Sequence, residues 1–544
     1  MAKITRWEPE NEQFWRETGS RLAWITCGVT TFSLIFSFAT WFVMSAVVVR
    51  LPNIGFKFTT MELFWLAAVP GLASGILRLI HSFFIPILGT RPVVSIATII
   101  KIIPMVWLGF AVQDTNTPWS TFMIIGFLSG MGGGDFSSYM PSTSIFFPKR
   151  LQGLAMGVQA GIGNFGVSVV QFVTPWIISF AILGSAFGAP QLFTKSDIIK
   201  DVTFTRDASG VVTDVVYKKP ELASAITVVK ANGAVTDIIV QEAPITKNMK
   251  VELKKNDAGA ITDVTLKRVV KKDMWVQNAA FWYVPFLAVS FILCVLFLKS
   301  IDPSALGIKS GGFKKMFEIL SSKYRARVHT WNCTITYIAS FGSFSGYAAA
   351  FPMMIKIIYG GFDGAPDPLK YAFFGPLIGG LSRAVTGPIF DKWGGSKGMF
   401  WCFIGLIVGC AALVFGGYLT PTGLETFPGF VYIMLWIFLM TGIANAATFR
   451  QYPIVFAYSP AQGAQMLGWT GAWAAFGPFI FTYLIGMSIT KTGSAVTFFI
   501  GAIIYYAYAF ILNWWYYTRK GSERYDYGTS GGTWWDKANK SEFK

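Results

Sequence analysis

Apolar runs of about twenty residues recur along the chain, each long enough to cross roughly 30 Å of hydrocarbon as a helix. Twelve are read, near 21–49, 60–87, 93–112, 119–147, 152–185, 277–298, 327–352, 368–390, 397–418, 427–456, 463–487 and 493–517. Between the fifth and sixth the pattern changes. From about Thr194 to Asp273 the apolar period falls to two, with Val, Ile and Thr alternating with Lys and Asp. Turn-forming pairs at Ser209-Gly210, Asn232-Gly233 and Ala258-Gly259 punctuate that stretch, and a turn pair between alternating runs signals a β-hairpin. The expected fold is therefore an all-α polytopic membrane protein of twelve helices in two bundles of six, with a small extracytoplasmic insert of three hairpins.

The boundaries that follow are a cytoplasmic start at 1–20, helices one to five in 21–188, the insert at 189–276, helix six at 277–299, a basic linker at 300–326, helices seven to twelve in 327–518 and a cytoplasmic tail at 519–544. Composition agrees: of 544 residues 53% are hydrophobic and only 13% charged. The polar, mixed-charge start offers no cleavable signal, so the first helix serves for insertion.

A net charge of +17 would draw attention to nucleic acid, but its distribution points elsewhere. Lys and Arg concentrate in alternate loops, at Arg91, at Lys149-Arg150, through 299–327, at Lys392 and Lys397, and after Arg519, while the short loops near 113–118 and 420–425 carry none. Retention of basic loops in the cytoplasm puts both termini there. No nucleic-acid partner is expected. Five cysteines, all in or beside apolar runs, and two histidines give no metal spacing and no disulfide framework. No enzyme activity and no cofactor are expected.

Charges inside the apolar runs carry the functional signal. Arg383 lies deep within 379–395, and a cation at the bilayer centre costs roughly 2.5–3.5 kcal/mol, so it calls for a role in the bundle interior. The pattern recurs once: a single offset places Arg78 on Arg383 and Gly89 on Gly394. Parallel repeats with a site at the midplane between them are the plan of the major-facilitator fold, and paired arginines there imply an anion. The planar guanidinium fork suits the in-plane oxygens of a planar oxyanion better than lysine. Gly157, Gly161, Gly163 and Gly166 make helix five a surface on which another backbone can approach and slide. Aligning Pro141 with Pro453 sets Asp135 about one turn from the depth of Arg450, and these two are expected to form a state-dependent ion pair closing the cytoplasmic side. Lys101 is expected to snorkel to the cytoplasmic interface, and His81 to be a hydrogen-bonding side chain lining the pathway.

The stretch Gly153-Leu154-Ala155-Met156-Gly157-Val158-Gln159-Ala160-Gly161-Ile162-Gly163-Asn164-Phe165-Gly166 resembles the nitrate signature of the nitrate/nitrite porter family of major facilitators. The resemblance extends to Ile4–Glu10, Trp107–Thr115, Phe146-Phe147-Pro148-Lys149, Ser340–Phe344 and Tyr371–Pro376, and is strongest to the bacterial NarK-type exchangers. It implies that Arg78 and Arg383 clasp nitrate or nitrite, and that Tyr337, Phe341, Phe136 and Asn164 complete the site. Gly387–Lys397 resembles the facilitator loop motif, with Asp391 and Lys392 clamping neighbouring helix ends. The second-half counterpart of the glycine signature, 468–478, carries Trp469, Trp473 and Pro478 instead, and Asp135 stands where the family pattern has an asparagine. A monomeric transporter of a bacterial inner membrane is expected, working by alternating access. Two bare arginines are costly to occlude empty, which favours nitrate/nitrite exchange over proton symport through Asp135 or the carriage of another small anion. The insert reads as a solubilising appendage, with a gating or partner-binding role as the alternative.

Overall fold

The computed structural model describes residues 3–81, 84–231, 233–257, 259–302, 317–320, 325–527 and 532–538. Within these, twelve helical rods form. They are α1 (Glu12–Val47), α2 (Thr60–His81), α3 (Thr90–Ala111), α4 (in the pieces Trp119–Ser129, Met131–Gly134 and Phe136–Ser144), α5 (Lys149–Ile177), α6 (Asn278–Phe297), α7 (Ala326–Tyr359), α8 (Phe374–Trp393), α9 (Gly395–Phe415), α10 (Phe427–Val455), α11 (Gln465–Thr492) and α12 (Val496–Thr518). Ten of these are long and apolar enough on their own to cross a membrane. The other two are α4, broken near Gly130 and Asp135, and α8, which carries Arg383, Asp391 and Lys392.

The break in α4 has a packing cause. A Cβ on Gly132 would lie 1.9 Å from the Ser37 carbonyl oxygen, and one on Gly133 would lie 2.2 Å from the Ser74 hydroxyl. Glycine alone lets this backbone press against α1 and α2, which brings the Gly133 carbonyl within reach of Arg78.

The insert contains seven strands: β1 (Gln191–Ile198), β2 (Val202–Arg206), β3 (Val212–Tyr217), β4 (Ile226–Ala231), β5 (Ala234–Val240), β6 (Met249–Lys255) and β7 (Ile261–Met274). Three antiparallel hairpins form, β2–β3, β4–β5 and β6–β7, and Gly210, Gly233 and Gly259 between their strands hold φ near +80°. A further pairing, β1 with β7 from Gln191↔Met274 to Ile198↔Lys267, closes the two ends of the insert against each other. Val212, Val235, Ile261 and Leu266 form its own small core.

The internal repeat is written into the backbone. Gly89 ends the segment after α2 at φ +86°, and Gly394 ends α8 at φ +94°, both in the left-handed region. In each half the chain leaving the last helix returns to this corner. Ser300, after α6, packs on Gly89 and accepts the Arg91 amide at 3.1 Å through its hydroxyl; Asp526, after α12, packs on Gly394 and accepts the Gly395 amide at 2.9 Å. Most of the expected linker at 300–326 lies outside the described residues.

The two halves meet closely toward the insert face. A Cβ on Gly71 of α2 would touch the Phe479 amide of α11 at 2.4 Å, and Gly75 lies against the Phe476 ring. At that end Arg50 Nη2 is bonded to both carboxylate oxygens of Asp367, at 2.7 and 2.6 Å. Toward the linker face the packing between α5 and α8 loosens. A Cβ on Gly161 of α5 would lie 3.9 Å from Ala384 of α8, whereas one turn nearer the linker face Gly157, on the same helix side, has nothing within 4 Å.

Candidate anion-binding site

Arg78 comes from the last turn of α2 and Arg383 from the middle of α8, so each half contributes one cation. Arg78 is 1% exposed and Arg383 9%. The Arg78 Nε donates to the Gly133 carbonyl at 2.9 Å, and its Nη1 donates across the interface to the Gly471 carbonyl of α11 at 3.0 Å. The Nη2 is buried with no hydrogen-bond partner. Neither guanidinium pairs with a carboxylate among the described residues.

A chain of rings joins the two cations. Phe136 lies 4.8 Å and Phe341 5.2 Å from the Arg78 guanidinium carbon, with Trp41 behind at 5.5 Å. Phe341 stacks on Tyr337 one turn earlier on α7, with centroids 5.7 Å apart and planes at 20°. Tyr337 meets Phe449 of α10 edge-on at 6.2 Å, and Phe449 lies 4.8 Å under Arg383. Cations over ring faces are held by the ring quadrupole, which orients the guanidiniums without neutralising them. Asn164 is 1% exposed and its Oδ1 has no partner, leaving a polar group on α5 unspent.

Four of the expected site residues are thus linked in a chain, Arg78 to Phe136 and Phe341 and Phe341 to Tyr337, and Arg383 joins them through Phe449. Phe449, Trp41 and the Gly133 and Gly471 carbonyls were missed from sequence. Phe449 was within reach: the proline alignment places it opposite Ser137, beside Phe136.

The glycines of α5 divide. A Cβ on Gly166 would lie 2.0 Å from the Ile35 carbonyl oxygen and one on Gly163 2.6 Å from Leu34, so these pack on α1 within one half. Gly161 and Gly157 face α8 of the other half. The Asp391 side chain lies outside what is described, and Lys392 is exposed.

One expectation about charge is corrected. Lys101 does not snorkel: it is fully buried and donates to the Asp135 carboxylate and the Ala97 carbonyl. A carboxylate opposite it on α4 stabilises the ammonium where headgroups are out of reach. Asp135 also accepts from Ser37 Oγ at 2.7 Å and stands 3.7 Å from His81 Nδ1, while His81 is hydrogen-bonded with Ser138 Oγ at 3.3 Å. Arg450 pairs instead with Asp526 of the tail, at 3.6 Å. The expected Asp135–Arg450 pair is therefore not formed in this conformation, each charge having a partner within its own half.

No protein-family profile matches the chain. The probable nitrate/nitrite antiporter NarK2 of Thermus thermophilus is 43% identical over 521 residues, covering 96% of this chain and 98% of that one. The nitrate/nitrite transporter NarU of Escherichia coli (strain K12) is 32% identical over 538 residues, covering 94% and 96%. Among solved structures, the human organic anion transporter MFSD10 superposes with a TM-score of 0.52 at 10% identity, covering 90% of this chain and 99% of that one. The xylose transporter XylE from E. coli gives 0.51 at 12%, covering 91% and 97%; at such identities the two show the fold alone. The repeat, the paired arginines and the near full-length relatives agree, and the chain belongs to the nitrate/nitrite transporter family.

Proposed function

We propose that this protein carries nitrate and nitrite across a bacterial inner membrane by alternating access, as an exchanger, with its termini and basic loops in the cytoplasm and the β insert outside. The observation that carries this reading is the pair of buried arginines, one from each half, with no carboxylate among the described residues paired to either. A planar oxyanion between them would receive the free Nη2 donor of Arg78 and the donors of Arg383, with Phe341 and Tyr337 against its faces. With the insert ends of the halves closed and the packing between α5 and α8 loosened toward the linker ends, the conformation faces the cytoplasm in this orientation. Arg78 and Gly471 belong to different halves, so the rocking that closes the linker side must reshape their bond around the bound anion.

Exchange is favoured by electrostatics. Returning empty would occlude two uncompensated cations in low dielectric, so turnover requires an anion in each direction. Proton symport would need a titrating carboxylate, and Asp135 is already compensated by Lys101. Counterflow decides between them: nitrite-loaded liposomes should take up external nitrate, and anion-free liposomes under a pH gradient should not. Uptake driven by the pH gradient alone would replace exchange with symport.

A further inference from the structure

A cavity of about 710 Å³ lies between the β insert and the ends of the helices beneath it, immediately beyond the closed end of the pathway. Its walls come from three places. β1 and β7 of the insert contribute Phe193, Lys195, Asp197 and Lys272; the end of α1 contributes Arg50; and α7 with the loop after it contributes Lys356, Asp367 and Lys370. The cations on the wall are Arg50, Lys195, Lys272, Lys356 and Lys370, against the two carboxylates Asp197 and Asp367. Arg50, Lys195, Lys272 and Lys370 facing Asp197 and Asp367 leave an excess of at least two positive charges in a recess with apolar walls, an arrangement that raises the local concentration of anions.

We propose that this recess is an anion vestibule, in which the insert and the helix ends hold a small inorganic anion in front of Arg50 before it passes inward. Arg50 is 4% exposed. Its Nη2 is taken by Asp367, and its Nε is buried with no partner. Phe193 of β1 lies under both Arg50, at 5.8 Å, and Lys272, at 5.5 Å, aligning the two cations on one ring. Asp197 is compensated by Lys195 at 2.9 Å, and Lys356 donates to the Val49 carbonyl and the Asn53 amide oxygen. That leaves Lys272 and Lys370 without a carboxylate partner among the described residues.

The insert is fixed where this role requires. Asn53 of the first half donates to the Thr194 carbonyl of β1 at 3.0 Å. From the insert, Lys195 donates to the Ala365 carbonyl at 2.8 Å and Arg268 to Asp363 at 3.1 Å, both in the loop after α7. The insert therefore bridges the two halves over the closed gate. An anion seated beside Arg50 competes with Asp367 for the guanidinium, weakening the ion pair that holds this end shut. The appendage expected from sequence thus becomes the outer wall of a capture site. This inference rests on the transport reading above and concerns its external side.

The test is nitrate/nitrite exchange in liposomes holding the full-length protein in one orientation, with nitrate limiting first outside and then inside. Replacing the two cations that lack a carboxylate partner, Lys272→Gln with Lys370→Gln, should raise the external half-saturation concentration by about tenfold, at the low end of electrostatic focusing. The internal value should stay unchanged, and the dependence of uptake on external ionic strength should flatten. Misfolding would depress transport from both sides alike, so the ratio of the two values is its own control. An unchanged ratio and unchanged salt dependence, in a wild type that exchanges normally, would overturn the vestibule and leave the transport reading standing. Absence of exchange in the wild type would instead overturn the transport reading. An effect present only when the liposomes contain phosphatidylglycerol would assign the recess to an anionic lipid headgroup and overturn the proposal too.

Discussion

The Nη1 of Arg78 reaches across the interface between the halves to the carbonyl of Gly471, 3.0 Å away. This bond ties the proposed anion site to the way the two halves are packed. α11 supplies only a backbone oxygen, so its side chain at this point can be small while its path cannot change. A Cβ on Gly471 would meet nothing within 4 Å, so Gly471→Leu should leave α11 in place, fill the space beside Arg78 and slow exchange at least tenfold with little loss of protein in the membrane. Wild-type turnover in that variant would mean that the space beside this bond is not used in the transport cycle.

Gly166 and Gly157 should respond oppositely to alanine. At Gly166 the new methyl meets the Ile35 carbonyl oxygen at 2.0 Å, an overpacking that costs about 1–3 kcal/mol. At Gly157 it meets nothing within 4 Å, so thermal stability should hold while turnover falls, because α5 and α8 must approach there when the linker side closes. Melting temperature and exchange rate, measured on both variants, separate packing from motion. Equal loss of stability in the two would remove the distinction.

Lys101→Met should be among the most destabilising single changes in the first half. It leaves Asp135 buried without its cation, and removing one partner of a buried pair costs about 3–5 kcal/mol. Adding Asp135→Asn should restore much of the loss, since the amide carries no charge to strand. Thermal unfolding of the single and double variants checks this, and a Lys101→Met protein as stable as wild type would contradict it.

The tail after α12 is held to the second half through Glu523, which binds Arg325 at 2.6 Å and His329 at 2.9 Å. Burial pushes the Glu523 carboxyl up, but the His329 hydrogen bond and the nearby His329, Arg325 and Arg524 charges outweigh it and leave it below the usual carboxylate value. A depressed carboxyl stabilises docking above the ordinary carboxylate range, and that contribution is lost as pH falls through the depressed value. Protease cleavage of the tail should therefore rise in acid. Glu523→Gln should bring comparable cleavage at neutral pH, and a tail equally protected in that variant would rule the contact out as its anchor.

What could be read from the chain, and what could not, follows from where the information lies. Arg78 and Arg383 were legible because a charge in an apolar run is rare and the Gly89–Gly394 spacing repeats it. The hairpins were legible because turn chemistry is local. The Asp135–Lys101 pair was not, since it depends on α3 and α4 facing each other; two charges on separate helices carry no mark of their partner. The carbonyls of Gly133 and Gly471 have no side-chain signature at all. The pairing of β1 with β7, and with it the placement of the insert over Arg50, joins residues some eighty positions apart and has no local turn to announce it. In this conformation Asp526 stands beside Arg450 because the tail folds back onto the ends of α9 and α10.

The central claim is that Arg78 and Arg383 together hold a planar anion through their guanidinium forks. Nitrate binding to purified Arg78→Lys and Arg383→Lys proteins tests it most directly. Lysine keeps the charge and loses the planar fork, so each variant should bind nitrate at least tenfold more weakly, a loss of about 1.4 kcal/mol or more. Wild-type affinity in both variants would contradict the account.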